Sequence, residues 1–122
     1  MAVEFFIDSN LCSINQKFFI MRGRNILSTK YRQVKAYLIG YFGLHDKEEL
    51  PDPPYKITVQ SSQYEDIDAN LKIMLDALEC AGVIENDRMV HSLKILKTPI
   101  KRGGEQSHYI RVDHYDKQEH II

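Results

Sequence analysis

Asp66, Asp68, Lys72 and Asp87 are the residues whose types and spacing point to chemistry. Asp66 and Asp68 stand two apart at the expected entry to a helix, and Lys72 lies one helical turn past Asp68. Asp87 follows where the chain must turn back toward its next strand. Brought together, three carboxylates would offer hard oxygen ligands to an octahedral Mg²⁺, with Mn²⁺ as a substitute, and would leave positions open for water and a phosphate oxygen. The same residues have a purely structural reading. Aspartates at a helix start cap free N–H groups and suit the helix dipole. Asp68 and Lys72 would then form a surface i,i+4 pair worth only about 0.3–0.5 kcal/mol. Spacing does not decide between the two, because Asp87 returns to the helix start only through the intervening elements.

Those elements follow from periodicity and turn signals. Residues 3–7 read as a strand ended by Asp8-Ser9-Asn10. Residues 17–27 read as a hairpin or an irregular basic loop. Ser28 or Thr29 opens a helix to about Phe42, with Tyr31, Val34, Leu38 and Tyr41 or Phe42 as its buried face and Gly43 as its stop. After an acidic, proline-bearing loop, Tyr55 to Gln60 alternates as a half-buried strand. A second helix is expected from about Ile67 to Ala81, with Leu71, Met74 or Leu75, and Leu78 as its stripe and Gly82 at its C-terminus. Strands near 89–98 and 107–114 follow, with Gly103-Gly104 in the turn between them. The expected class is α+β: a small mixed β-sheet packed with two main helices, in a single domain over residues 1–122.

Composition bounds the function. With 43% apolar and 27% charged residues, the chain is an ordinary globular sequence. No apolar run approaches the roughly 20 residues of a membrane span. Met1 to Ile7 carries Glu4 and no basic residue, unlike a signal peptide, so a cytoplasmic setting is expected. Cys12 and Cys80 make neither a disulfide framework nor a four-cysteine zinc site, and Cys80 reads as a small core residue. The five histidines show no ligand spacing and read as surface or strand residues.

The net charge of −1 conceals blocks. No acid occurs between Ser9 and Leu44, a stretch that holds Lys17, Arg22, Arg24, Lys30, Arg32 and Lys35. From Glu65 to Asp87 the balance is acidic, and Lys94, Lys97, Lys101, Arg102 and Arg111 then restore positive charge. An acidic island between basic stretches fits a phosphate-binding surface around a metal site, although mixed solvated surface gives the same pattern.

The segment Asp66-Ile67-Asp68-Ala69-Asn70-Leu71-Lys72-Ile73-Met74-Leu75-Asp76-Ala77-Leu78, continuing through Gly82 to Asp87 and Val90, resembles the signature of RusA-type Holliday junction resolvases. That signature runs roughly D-x-D-N-L-x-K-x-x-x-D-A-L, then glycine, then D-D-x-x-V. The likeness extends to Lys97, Pro99 and Gly103-Gly104 downstream, and to Ser13-Ile14-Asn15 and Arg22-Gly23-Arg24 upstream. The chain departs from it at Ala69, where the family has asparagine, at Asn86, the first of the paired aspartates, and in lacking a basic run before Asp66.

The resemblance implies a RusA-like homodimer, bacterial or encoded by a phage or prophage, that binds four-way DNA junctions and resolves them by symmetric paired nicks in recombination and repair. It implies catalytic Asp66, Asp68 and Asp87 holding Mg²⁺, with Lys72 beside them. Phosphate contacts are expected from Asn15, Lys17, Arg22, Arg24, Lys97, Lys101 and Arg102. Three alternatives stand beside it: a metal nuclease acting on flaps or forks, a non-catalytic DNA-binding module of the same fold, and a dimeric interaction protein with no nucleic acid.

Overall fold

The computed structural model describes residues 2–8, 18–21, 24–27, 29–45, 47–63, 66–68, 70–101 and 103–117, with 18–21 and 24–27 as backbone alone. Alternating sequence builds the sheet. In β1 (Ala2–Ile7) the side chains of Val3, Phe5 and Ile7 are buried while Glu4 and Phe6 are exposed. β2 (Phe18–Met21) and β3 (Arg24–Leu27) pair antiparallel as a separate hairpin. Of the two readings of residues 17–27, the hairpin is therefore the one adopted.

Helix α1 (Thr29–Phe42) buries Tyr31, Leu38 and Phe42, at the spacing expected of its inner face, with Val34 and Tyr41 partly buried beside them. β4 (Tyr55–Gln63) runs three residues beyond the expected Gln60. Its extension keeps the alternation with polar side chains, since Ser61 and Gln63 are buried like Ile57 and Val59 before them. Helix α2 (Leu71–Cys80), β5 (Val90–Pro99) and β6 (Ser107–His114) complete the chain.

The four-stranded sheet has the order β1-β6-β4-β5. β6 pairs antiparallel with both β1 and β4, while β4 and β5 run parallel. Parallel neighbours need a crossover, and α2 supplies it. The turn at Gly103 (φ +84°) thus leads β5 past β4 to β6. Both helices join one core with the inward residues of the sheet: Phe5, Ile57, Val59, Ile110 and Val112 pack with Leu38, Phe42, Ile73 and Leu78. The α+β expectation of a mixed sheet and two helices holds. Among the described residues, no helix is long and apolar enough to cross a membrane.

Two local expectations are corrected. α2 starts at Leu71 and not near Ile67, which is 48% exposed in the turn before it. Cys80 is exposed at the end of α2 and is not a core residue. The buried arc of that helix is Ile73, Met74, Ala77 and Leu78, and Cys80 falls off it. The end of α2 is as expected: Gly82 takes φ +79°, and Val83 N–H bonds Leu78 C=O (3.0 Å) while Gly82 N–H bonds Glu79 C=O (3.1 Å). This is the double bond of a Schellman turn, which favours glycine because its φ is positive.

Candidate nucleic-acid interface

The parallel pair sets what can meet. Tyr55 stands level with Val90 and Gln63 with Pro99, so β4 and β5 finish together, and Ile100 N–H bonds Gln63 C=O (3.3 Å) just beyond them. Lys97 is beside Ser61 in that register, and Lys101 follows Ile100 as an exposed residue. Asp66 and Asp68 leave β4 at this same end, both exposed, in the turn that leads into α2. Carboxyl ends of parallel strands and the N-termini of the helices that follow them suit anionic ligands, because free N–H groups point there.

A buried amide pair holds that turn. Gln63, 1% exposed, donates from Nε2 to the carbonyl of Asp66, and its Oε1 accepts from Asn70 Nδ2 at 2.8 Å. Leu71 N–H bonds Asp68 C=O at 3.1 Å. Asn70, the residue before α2, makes no side-chain cap bond. The capping reading of Asp66 and Asp68 therefore fails as well: both precede Asn70, and α2 has no acidic residue in its first turn.

Asp87 is elsewhere. It opens a 3₁₀ turn (Asp87–Met89) just before β5, and its N–H bonds Glu79 Oε1 at 3.1 Å. Three residues later Val90 pairs with Tyr55, at the opposite end of β4 from Asp66. The backbone of Asp87 thus lies toward the start of β4 and that of Asp66 past its end, although the Asp87 charge still reaches Lys72. Among the described residues no group of three or more His, Cys, Asp or Glu is arranged to hold a metal ion. The expected Mg²⁺ or Mn²⁺ centre of Asp66, Asp68 and Asp87 is corrected on this ground. Its physical reason is the crossover, which places two of the carboxylates before α2 and the third after it.

Lys72 also has a different partner. Its Nζ lies 3.1 Å from Asp76 Oδ1, an i,i+4 pair one turn further along than the expected Asp68. The hydrogen bond and charge of Asp76 hold the Lys72 ammonium above its usual range. Its slight burial works against them, and Asp87 and Glu79 add to them. Asp76 in turn accepts from the buried Tyr31 hydroxyl at 2.8 Å. Burial pushes the Asp76 carboxyl up, but the hydrogen bonds from Tyr31 and Lys72, with the charges of Lys72 and Lys35, outweigh it and hold the group below its ordinary value. This bridge ties α1 to α2.

Tyr31→Phe should lower stability by about 1–2 kcal/mol near neutral pH, because it removes a hydrogen bond to an ionised group. Asp76 is a depressed acid, so its contribution is complete above the ordinary value of 3.8 and is lost as pH falls through its folded pKa. Urea unfolding of both proteins at neutral pH and in acid below that range should show the difference shrinking in acid. A constant difference would mean that the Asp76 charge is not involved.

Asn15, Lys17, Arg22 and Arg102 lie outside the described residues, and Arg24 is placed on β3 by its backbone alone. Sequence reasoning did not single out Gln63, Asn70 or the buried pair of Ser61 Oγ and His108 Nδ1 at 2.8 Å. Gln63 and Ser61 carried a signal in their alternation with Ile57 and Val59. Compared with models of known protein families and with curated proteins, the chain matches none.

Proposed function

We propose that this chain is a RusA-like domain that binds branched DNA, taking strand phosphates at the carboxyl end of the β4–β5 pair and acting as a homodimer. The observation that supports the reading is the parallel register with its Ile100–Gln63 bond. It places Lys97 and Lys101 at the end of the sheet where the exposed Asp66–Asp68 turn enters α2. Lysines there neutralise phosphates as point charges, and contacts of this kind position a duplex without reading its bases. A two-fold protein matches the two-fold axis of a four-way junction. The nicking implied by the sequence resemblance remains part of this proposal; the Mg²⁺ centre corrected above does not.

The test is a gel-shift titration of a synthetic four-way junction against linear duplex over a salt series, followed by a nicking assay on junction, flap and duplex. The junction should bind tighter than the duplex. Lys97→Ala and Lys101→Ala should each reduce the log–log salt slope by roughly 0.9. Asp68→Asn should keep or improve binding, since it removes repulsion toward phosphate. Equal affinity for junction and duplex, or unchanged slopes in both lysine variants, would remove DNA from this end of the sheet.

A further inference from the structure

The sheet face turned away from the helices carries its own site. Phe6 on β1 is 64% exposed, and its ring centroid lies 5.0 Å from that of Tyr109 on β6 at an interplanar angle of 41°. The Tyr109 hydroxyl donates to Glu4 Oε1 at 3.1 Å, which fixes that ring on the sheet. Beside the two rings is a pocket of about 240 Å³, also lined by Asp8, Gln60, Ser62 and Thr98. Since a liquid water occupies about 30 Å³, the pocket has room for a planar ring and its hydrogen-bonded waters. Gln60 and the two hydroxyls offer both donors and acceptors, and Asp8 accepts only. Ser62 and Thr98 are one residue from Gln63 and Pro99, so the pocket opens near the end of the sheet beyond which exposed Lys101 lies, while Lys97, level with buried Ser61, alternates to the other face.

We propose that this pocket takes an unpaired nucleobase of a DNA strand, stacked on Phe6 and Tyr109 with its edge toward Gln60, Ser62, Thr98 and Asp8. The inference rests on the DNA-binding reading above and extends it to the base. Exposed aromatic rings on a sheet stack bases without regard to sequence, because every base has a π-face. Asp8 repels a phosphate, so the backbone stays outside, toward Lys101, while the base enters. The carboxylate also favours bases that carry an exocyclic amino group, which donates to it. A branch point supplies such a base, since strands exchange partners there and stacking is interrupted.

The probe is a single-stranded pentanucleotide with 2-aminopurine at its centre, titrated with the full chain and read by fluorescence, beside the free 2-aminopurine nucleoside. Wild type should quench the pentanucleotide saturably. Phe6→Ala should weaken that binding about 5- to 150-fold, the range for loss of one stacking ring. Phe6→Leu keeps apolar bulk against Tyr109 without a π-face and should behave the same way, with circular dichroism confirming that both variants fold. Absence of quenching in wild type, or equal quenching in Phe6→Leu, overturns the site. If the junction binds while the pentanucleotide is not quenched, the base site is wrong and the DNA-binding reading stands. Quenching of the pentanucleotide without preference for the junction supports the base site and overturns the junction reading. Equal affinity for the free nucleoside and the strand overturns the assignment to a strand.

Discussion

Phe42→Ala should remove about 3–5 kcal/mol from the free energy of unfolding, the range for deleting a fully buried aromatic side chain. Phe42 is 0% exposed and ends α1, where its ring meets that of Phe5 edge-on with centroids 4.7 Å apart. The Tyr41 ring is 5.8 Å away on the same turn, and the Tyr41 hydroxyl accepts the Phe6 N–H at 3.0 Å. This corner therefore joins the end of the first helix to the outer strand of the sheet. Alanine would leave a void between β1 and α1 that neither element can close, because β1 is fixed by its ladder to β6. Domains are stable by only about 5–15 kcal/mol, so the loss is a large share of the whole. Phe6→Ala is the matched control: the same chemical change at a neighbouring exposed residue, expected to cost about 0.5 kcal/mol. Urea unfolding of the three proteins measures both effects. Comparable losses from Phe42 and Phe6 would show that β1 does not dock on α1 as described.

The contrast between those two phenylalanines marks what was legible in the sequence. The three-to-four spacing of α1 follows from local chain geometry, so Tyr31 and Leu38 were readable as its buried face, while the sequence left Tyr41 or Phe42 open and did not separate Phe5 from Phe6 in β1. Gly82 was readable as the end of α2 because a positive φ selects glycine. Topology was not readable in the same way. The segment after Gly82 returns to the start of β4, where Val90 meets Tyr55, and only this non-local register fixes Asp87 away from Asp66 and Asp68. Charge spacing failed at Lys72 for a related reason. Both Asp68 and Asp76 are four residues from it, and the choice falls to Asp76 because α2 begins at Leu71 and leaves Asp68 outside the helix. The start of α2 was misplaced because a buried amide pair, not a hydroxyl or carboxylate cap, ends the turn before it.

Gln63→Ala should destabilise the fold by about 1–3 kcal/mol through the buried Asn70 Nδ2 amide it leaves unpaired, with a smaller loss at the Asp66 carbonyl, which belongs to an exposed residue and can bond water. Gln63 and Asn70 are each 1% exposed, and Asn70 Oδ1 already lacks a partner among the described residues. A second unmet group on the same amide comes at high cost in a site that dry. Gln63→Glu sharpens the test at nearly constant volume. Its carboxylate still accepts from Asn70, but it cannot donate to the Asp66 carbonyl, and an ionised group buried against a carbonyl oxygen is disfavoured. Protonation restores one donor. The introduced acid should therefore have its folded pKa raised above the unfolded value. Its stabilising contribution is then complete below the unfolded value and is lost as pH rises through the folded one. Gln63→Glu should approach wild type near pH 4 and fall toward Gln63→Ala at pH 7, as measured by unfolding at the two pH values. Amide hydrogen exchange at Leu71, whose N–H bonds Asp68 C=O, should speed up in Gln63→Ala, because loss of Gln63 frees the turn that sets the start of α2. If Leu71 exchange is unchanged while global stability drops, Gln63 only fills space, and the Asp66–Asp68 turn is held by something other than the amide pair.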